Sequence, residues 1–214
     1  MFFTYTEATE KALRLLRNPH YFQWYLIPLL ALLVYVYAVE VERKKWNIIL
    51  AGLAFWGLEW FFEIINALIL HFNKHTAIWT TPGGTAYLPL IGLTIEISMM
   101  FAIAGVIFAK VLPEDRKMKI LGIPNRWALI VGFSIFCVFV EVILHLWGVL
   151  VWEYWWWNWP FVLLIVLVGY MPYFIFAAWI HDMPSMKRKI TIVSGMYALD
   201  LACIILFMAI LKWI

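Results

Sequence analysis

Residues 56–75, WGLEWFFEIINALILHFNKH, place acidic and amide side chains inside an apolar run that is long enough to cross a bilayer. Glu59, Glu63 and Asn66 fall on one face of the predicted helix, because residues three and four apart are neighbours on a helix surface. A carboxylate at membrane depth is costly and usually faces the interior of a helix bundle. The stretch therefore predicts a membrane-spanning helix with a functional polar face.

The composition of the whole chain is that of a membrane protein. Of its 214 residues, 65% are hydrophobic and 14% are charged, whereas soluble domains are about half apolar and a quarter charged. The formal net charge of +3 is small and gives no reason to expect a nucleic-acid partner. Cys137 and Cys203 both fall inside apolar runs, so neither a disulfide nor a thiolate metal site is predicted.

Six apolar runs have the length of a transmembrane helix. They cover residues 21–40, 47–72, 87–112, 127–151, 160–180 and 191–213. Ahead of them, residues 5–17 carry charged side chains along one face, which predicts an amphipathic helix at the membrane surface. We therefore predict an all-α polytopic membrane bundle, with an interfacial helix in residues 1–20 and six transmembrane helices in residues 21–214.

The distribution of basic residues predicts the orientation of the bundle. An even number of spans places both termini on one side, and the loops rich in Lys and Arg face the cytoplasm. The first, third and fifth loops and their borders hold Arg43, Lys44, Lys45, Lys110, Arg116, Lys117, Lys119, Arg126, Lys187, Arg188 and Lys189. The prediction is a multi-pass protein of the cell membrane with these loops cytoplasmic and both termini outside.

Other predicted spans carry further ionisable side chains. Glu96 lies in the third span, Glu141 and His145 lie in the fourth, and Asp200 lies in the sixth. Glu63, Glu96 and Glu141 each fall nine or ten residues from the predicted outer end of their span, so they share one depth. Buried carboxylates without a basic partner need protons, a metal, a transported cation or a cationic intermediate to balance their charge.

An intramembrane enzyme acting on a lipid or isoprenoid-like substrate is the function that this pattern favours. Buried carboxylic acids can transfer protons, and aromatic faces stabilise a developing cation. The predicted catalytic residues are Glu59, Glu63, Glu96, Glu141, His145 and Asp200. The predicted substrate-binding residues are Asn66, Trp56, Trp60, Trp147, Tyr170 and Tyr197. The expected partners are membrane lipid and an apolar small molecule.

Three alternatives stay open at this point. Glu63, Glu96, Glu141 and His145 form a mixed oxygen and nitrogen set that suits a divalent metal such as Zn, Fe or Mn, in a metal-binding protein or metalloenzyme. A proton- or cation-coupled transporter would instead use buried acids as a relay. A structural subunit of a membrane complex has less need for unpaired buried acids.

Overall fold

The computed structural model describes residues 4–214 and is mostly helical. Its helices are α1 (Glu7–Leu15), α2 (Leu26–Glu42), α3 (Trp46–Asn73), α4 (Ile95–Val111), α5 (Asn125–Leu146), α6 (Val162–Leu164), α7 (Met171–Asp182) and α8 (Met186–Cys203). Two π-helical segments, Ile165–Tyr170 and Ile204–Ile210, join α6 to α7 and extend α8. Short 3₁₀ turns cover Pro19–Tyr21 and Trp155–Trp157. The strands are β1 (Trp79–Thr80), β2 (Lys119–Ile120), β3 (Ile123–Pro124) and β4 (Val151–Trp152).

Four continuous helical segments are long and apolar enough to cross a membrane. They are Trp46–Asn73, Asn125–Leu146, Val162–Asp182 and Met186–Ile210. Helices α2 and α4 are apolar but have only 17 residues each, about 25 Å at the standard helical rise. The prediction of six spans therefore depends on these two shorter helices.

Helix α3 lies at the centre of the bundle and packs against α4, α7 and α8. Its contact with α4 is close because glycines meet there. A Cβ added at Gly105 would lie 2.8 Å from the Cβ of Phe55 and 2.9 Å from the carbonyl oxygen of Gly52. The two backbones approach each other in the way that small residues permit between membrane helices.

Helix α4, which corresponds to the third predicted span, begins later than the sequence predicts. The predicted span started at residue 87, but α4 starts at Ile95, where the Thr94 side chain accepts a hydrogen bond from the Ile97 N–H. Such a capping bond satisfies a backbone donor that has no partner inside the helix. Residues 87–94 belong to a loop whose apolar side chains are buried in protein, including Leu88, Leu90 and Leu93.

The loop between α3 and α4, residues 74–94, folds back into the bundle, and we call it the re-entrant loop. Asn66, two turns before the end of α3, holds it: its Oδ1 accepts from Ile78 N at 2.8 Å, and its Nδ2 donates to Trp79 O at 2.8 Å. Strand β1 of this loop pairs with β4 of the loop at residues 147–161. We call these two loops together the capped end of the bundle.

Helix α1 packs on the capped end. Thr9 donates a hydrogen bond to the Thr76 hydroxyl at 3.1 Å, and Arg17 donates to Pro89 O at 3.1 Å. Ala12 is completely buried among residues of the loop and of α3. The apolar face of α1 therefore covers protein, and the interfacial position of this helix stays a prediction.

Candidate functional site

Three of the predicted acids line one cavity beneath the capped end. Glu59 and Glu63 reach it from α3, and Glu141 reaches it from α5. The cavity has a volume of about 40 Å³, which is room for roughly three water molecules. The rest of its wall is mainly apolar and aromatic: Trp79, Gly92, Ile97, Phe101, Leu150, Trp157, Ile165, Gly169, Tyr170 and Tyr173.

Neutral N–H donors hold one oxygen of Glu63 and one oxygen of Glu141. The Trp79 indole donates to Glu63 Oε1 at 2.8 Å, and the Trp152 indole donates to Glu141 Oε1 at 2.7 Å. The second oxygen of Glu63 is buried and has no partner in the described part of the chain. These two bonds orient the carboxyl groups, and Glu63 keeps its other oxygen free for a proton.

Glu59 is held through a serine. The Ser98 hydroxyl accepts from the indoles of Trp56 and Trp60 at 2.8 Å and 3.1 Å, and donates to Glu59 Oε2 at 3.4 Å. Because the two indoles occupy the acceptor side of Ser98, its proton is directed towards Glu59. Trp56 and Trp60 therefore position an acid and are not among the residues that line the cavity, and their role in substrate binding stays a prediction.

Within residues 4–214, no Lys or Arg side chain lines this cavity. The acids are more than nine-tenths buried, with Glu59 at 1%, Glu63 at 5% and Glu141 at 7% exposed. A buried carboxylate is costly unless an opposite charge compensates it. The site therefore favours chemistry that moves protons or passes through a positive charge.

Glu96 and His145 lie outside the cavity. Glu96 Oε1 accepts from the Tyr25 hydroxyl at 2.5 Å and its Oε2 accepts from the Thr85 hydroxyl at 2.5 Å, so Glu96 joins α2 to the loop before α4. His145, in the last turn of α5, stacks on Trp152 with ring centroids 4.4 Å apart. Because the next residue, Ile97, lines the cavity, Glu96 is separated from the other acids by the direction of its side chain, and its depth in the membrane stays a prediction.

The predicted metal ligands are therefore not assembled. Across the described residues no group of three or more His, Cys, Asp or Glu side chains is placed to hold a metal ion. Glu63 and Glu141 share a cavity, but Glu96 and His145 contact other parts of the chain. The four-ligand site predicted from the sequence is not formed in this structure.

The remaining predicted residues are divided between packing and surface. Asn66 is fully buried as the clamp of the re-entrant loop, and the Tyr197 hydroxyl donates to Leu53 O at 2.9 Å. Asp200 is 3% exposed, and neither of its oxygens has a partner among residues 4–214. Trp147 is 73% exposed and is not among the residues that line the cavity. Tyr170 is the one predicted aromatic residue in the cavity wall.

Sequence reasoning missed the tryptophans of the cavity wall. Trp79 and Trp157 fall near the ends of predicted spans, where tryptophans commonly form a belt at the membrane interface. Their rings stack in the structure with centroids 5.9 Å apart. The only sign of this arrangement in the sequence is the large number of aromatic residues in the two loops, and a belt of tryptophans at the membrane interface would explain that number equally well.

The π-helical segment Ile165–Tyr170 supplies part of the same wall. Proline lacks an N–H and its ring presses on the carbonyl four residues earlier, so Pro172 disfavours a regular α-helix over this stretch. The chain widens to π geometry just before it. Such segments occur frequently at functional sites.

Comparison with known proteins identifies relatives of this chain. The sequence model of a family described as an uncharacterized membrane protein family matches residues 6–209. The chain is similar to an uncharacterized protein of Archaeoglobus fulgidus, with 51% identity over 209 residues, which cover 98% of this chain and 99% of that protein. It is also similar to a second uncharacterized protein of the same organism, with 38% identity over 55 residues, which cover 26% of this chain and 98% of that protein. No solved structure matches.

Proposed function

We propose that this chain, which belongs to that uncharacterized membrane protein family, is an intramembrane enzyme that acts by carboxylic-acid catalysis on an unsaturated apolar substrate. The observation that carries the proposal is the meeting of Glu59, Glu63 and Glu141 in one aromatic cavity that no basic side chain lines among residues 4–214. Isoprenoid and lipid chains offer the carbon–carbon double bonds that such acids can protonate.

The reaction begins with proton transfer from a neutral carboxyl group of Glu63 or Glu141 to one carbon of the double bond. The π electron pair forms the new C–H bond, and the neighbouring carbon becomes positively charged. Trp79, Trp157 and Phe101 line the cavity, and the face of an aromatic ring stabilises a nearby cation by about 0.5–2 kcal/mol for each close contact.

A carboxylate then completes the reaction. The conjugate base removes a proton from a carbon next to the cation, and the C–H electrons form a new double bond. Alternatively, a water molecule adds its oxygen to the cation and gives a proton to the carboxylate. The first course isomerises the double bond and the second hydrates it. Cyclisation follows if, before the proton is lost, the π pair of a second double bond of the substrate forms a C–C bond to the cationic carbon and moves the positive charge onto its own far carbon. Each course returns the enzyme to its starting protonation state.

The cavity wall between α4 and the π-helical segment consists of residues that are not fully buried. Ile97 and Phe101 on α4, and Gly169 and Tyr170 opposite them, are all partly exposed. The ring centroids of Phe101 and Tyr170 are 6.0 Å apart. A substrate dissolved in the bilayer would enter here, and these rings must separate because the resting cavity has room only for water.

Deuterium incorporation tests the proposal whatever product is formed. The protein is reconstituted in vesicles that contain an unsaturated isoprenoid, incubated in D₂O, and the recovered lipid is analysed by mass spectrometry. We expect wild-type protein to incorporate deuterium, and Glu63→Gln and Glu141→Gln to lower the rate by about 10²-fold or more, as for loss of a general acid.

Glu96→Gln is the matched control, because it removes an acid of the same type that lies outside the cavity. It should keep the wild-type rate. Equal rates in wild type, Glu63→Gln and Glu141→Gln would refute the proposal, as would an absence of deuterium in every lipid supplied.

Proton-coupled transport is a second candidate, favoured by Asp200. This acid is buried on α8, neither of its oxygens has a partner among residues 4–214, and the neighbouring Tyr197 ring packs on Trp56 beside Glu59. A relay through Glu59 and Asp200 would move protons across vesicles that carry a pH gradient and an internal pH dye. If the chain is such a transporter, Asp200→Asn and Glu59→Gln abolish proton flux, and no lipid acquires deuterium.

A further inference from the structure

We propose a second binding site, for a phosphate group, at the opposite end of the bundle. The loops at residues 43–45, 112–124 and 183–185 lie there, and we call this the basic end. It contains a cavity of about 420 Å³, within the roughly 300–1,000 Å³ that ligand sites occupy. The lining residues are Asn47, Glu114, Arg116, Arg126, His181, Asp182, Met183, Pro184, Met186 and Lys189. This site does not depend on the enzyme activity proposed above.

Lys189 is the side chain that requires an anion. It is 2% exposed, and its Nζ donates to Asn47 Oδ1 at 2.6 Å and to His181 O at 2.7 Å. Both acceptors are neutral, and an ammonium group has three N–H donors, so one donor is still available. No carboxylate oxygen of residues 4–214 lies within 4.0 Å of this Nζ. A buried cation of this kind is costly until a negative charge pairs with it.

The acids of the same cavity are not available to Lys189. Asp182 accepts two hydrogen bonds from Arg126, at 2.8 Å and 2.9 Å, and it also pairs with Arg116 and His181. Glu114 is exposed and forms no ion pair in the described part of the chain. Three basic side chains therefore face two acids, and of the two groups that form no ion pair, the exposed Glu114 and the buried Lys189, only Lys189 is withdrawn from water.

A phosphate group fits this arrangement of donors. Lys189 supplies a compact positive charge, and the Arg116 side chain, 60% exposed, can turn its fork of N–H donors towards a bound oxyanion. Trp46, Trp127 and Trp179 are about half exposed near the same end, and exposed tryptophans mark the headgroup level of a bilayer. The phosphate can come from a lipid headgroup or from a soluble phosphate compound, because both present the same oxyanion.

The experiment measures binding to the whole protein purified in detergent. Inorganic phosphate and pyrophosphate are titrated in one arm, and mixed micelles with phosphatidylglycerol are titrated in the other, with the thermal midpoint as the readout. We expect a saturable rise of the midpoint in at least one arm. A rise of the midpoint in the first arm identifies a soluble ligand, and a rise confined to the second arm identifies a lipid headgroup.

The variant Lys189→Met keeps the length of the side chain and removes its charge, and it should weaken binding at least tenfold. Lys187→Met, on the exposed face of the same helix, is the matched control and should bind as wild type does. Arg116→Gln alters an exposed lining residue and gives the same test if Lys189→Met does not fold. No saturable response in either arm would overturn the proposal, and so would equal weakening by Lys187→Met and Lys189→Met.

Discussion

Replacement of Asn66 by alanine should loosen the re-entrant loop and destabilise the protein. The amide is fully buried and takes part in three hydrogen bonds to the loop backbone, at 2.8, 2.8 and 3.4 Å. Each bond contributes about 1 kcal/mol, and a buried backbone group left without a partner costs about 1–3 kcal/mol more. We therefore expect Asn66→Ala to lower the free energy of unfolding by roughly 3–5 kcal/mol, or the thermal midpoint by roughly 6–20 °C.

Tryptophan fluorescence on heating in detergent measures the midpoint, and hydrogen exchange with mass spectrometry reports on residues 76–94 directly. Asn18→Ala is the control, because this exposed side chain accepts one hydrogen bond, from the His20 N–H, and its loss should cost about 1 kcal/mol or less. If Asn66→Ala melts within about 2 °C of wild type, or residues 76–94 exchange no faster, the clamp does not hold the loop.

Gly105→Ala should lower the free energy of unfolding by about 1–3 kcal/mol, because its new Cβ would meet the Gly52 carbonyl oxygen at 2.9 Å. The control is Gly195→Ala, which has no atom within 4 Å of its Cβ and should be neutral or slightly stabilising. Equal thermal midpoints for the two variants would exclude close helix packing at Gly105. Glu96→Gln should speed hydrogen exchange at the start of α2, where its hydrogen-bond partner lies, while the rate of deuterium incorporation into lipid stays at the wild-type value. Trp147→Ala should leave both the midpoint and that rate unchanged, because the side chain is 73% exposed and contacts no part of the cavity; a rate lowered tenfold would return Trp147 to the site.

The polar face of α3 was accessible to sequence reasoning. Glu59 and Glu63 are four residues apart in an apolar run, and such acids avoid lipid, so their common direction follows from helix geometry and the cost of charge. The same argument applied to α5 selected Glu141, and the structure brings all three acids to one cavity. What each acid does there stays a prediction.

The re-entrant loop was not accessible in the same way. Leu88, Leu90 and Leu93 are buried in protein, but a hydropathy average does not distinguish residues that contact protein from residues that contact lipid. Hydropathy therefore assigns residues 87–94 to the start of a span, and it does not predict that Glu96 binds Tyr25 and Thr85 and not the cavity. Trp79 enters the cavity only because Asn66 binds the loop backbone, a long-range contact that no periodicity encodes.

His145 shows a different limit. It lies one turn beyond Glu141 on the same face of α5, so the spacing predicts that the two side chains act together. Trp152 lies between the two residues, because its indole N–H donates to Glu141 while its ring stacks on His145. The spacing of two residues on one helical face predicts that they point in the same direction. It does not predict that a side chain from a neighbouring loop will lie between them.

The π-helical segment Ile165–Tyr170 makes the site tolerant of one particular change in chain length. A π turn accommodates one residue more than an α turn, so deletion of a single residue here would allow a continuous α-helix in which the two flanking segments keep their relative orientation. The same deletion in a regular α-helix would rotate one flank by about 100° relative to the other. The change would therefore be confined to the side chains that this segment gives to the cavity wall, namely Ile165, Gly169 and Tyr170. Families that gain or lose one residue here would differ in the shape of the cavity while the rest of the bundle stays in register.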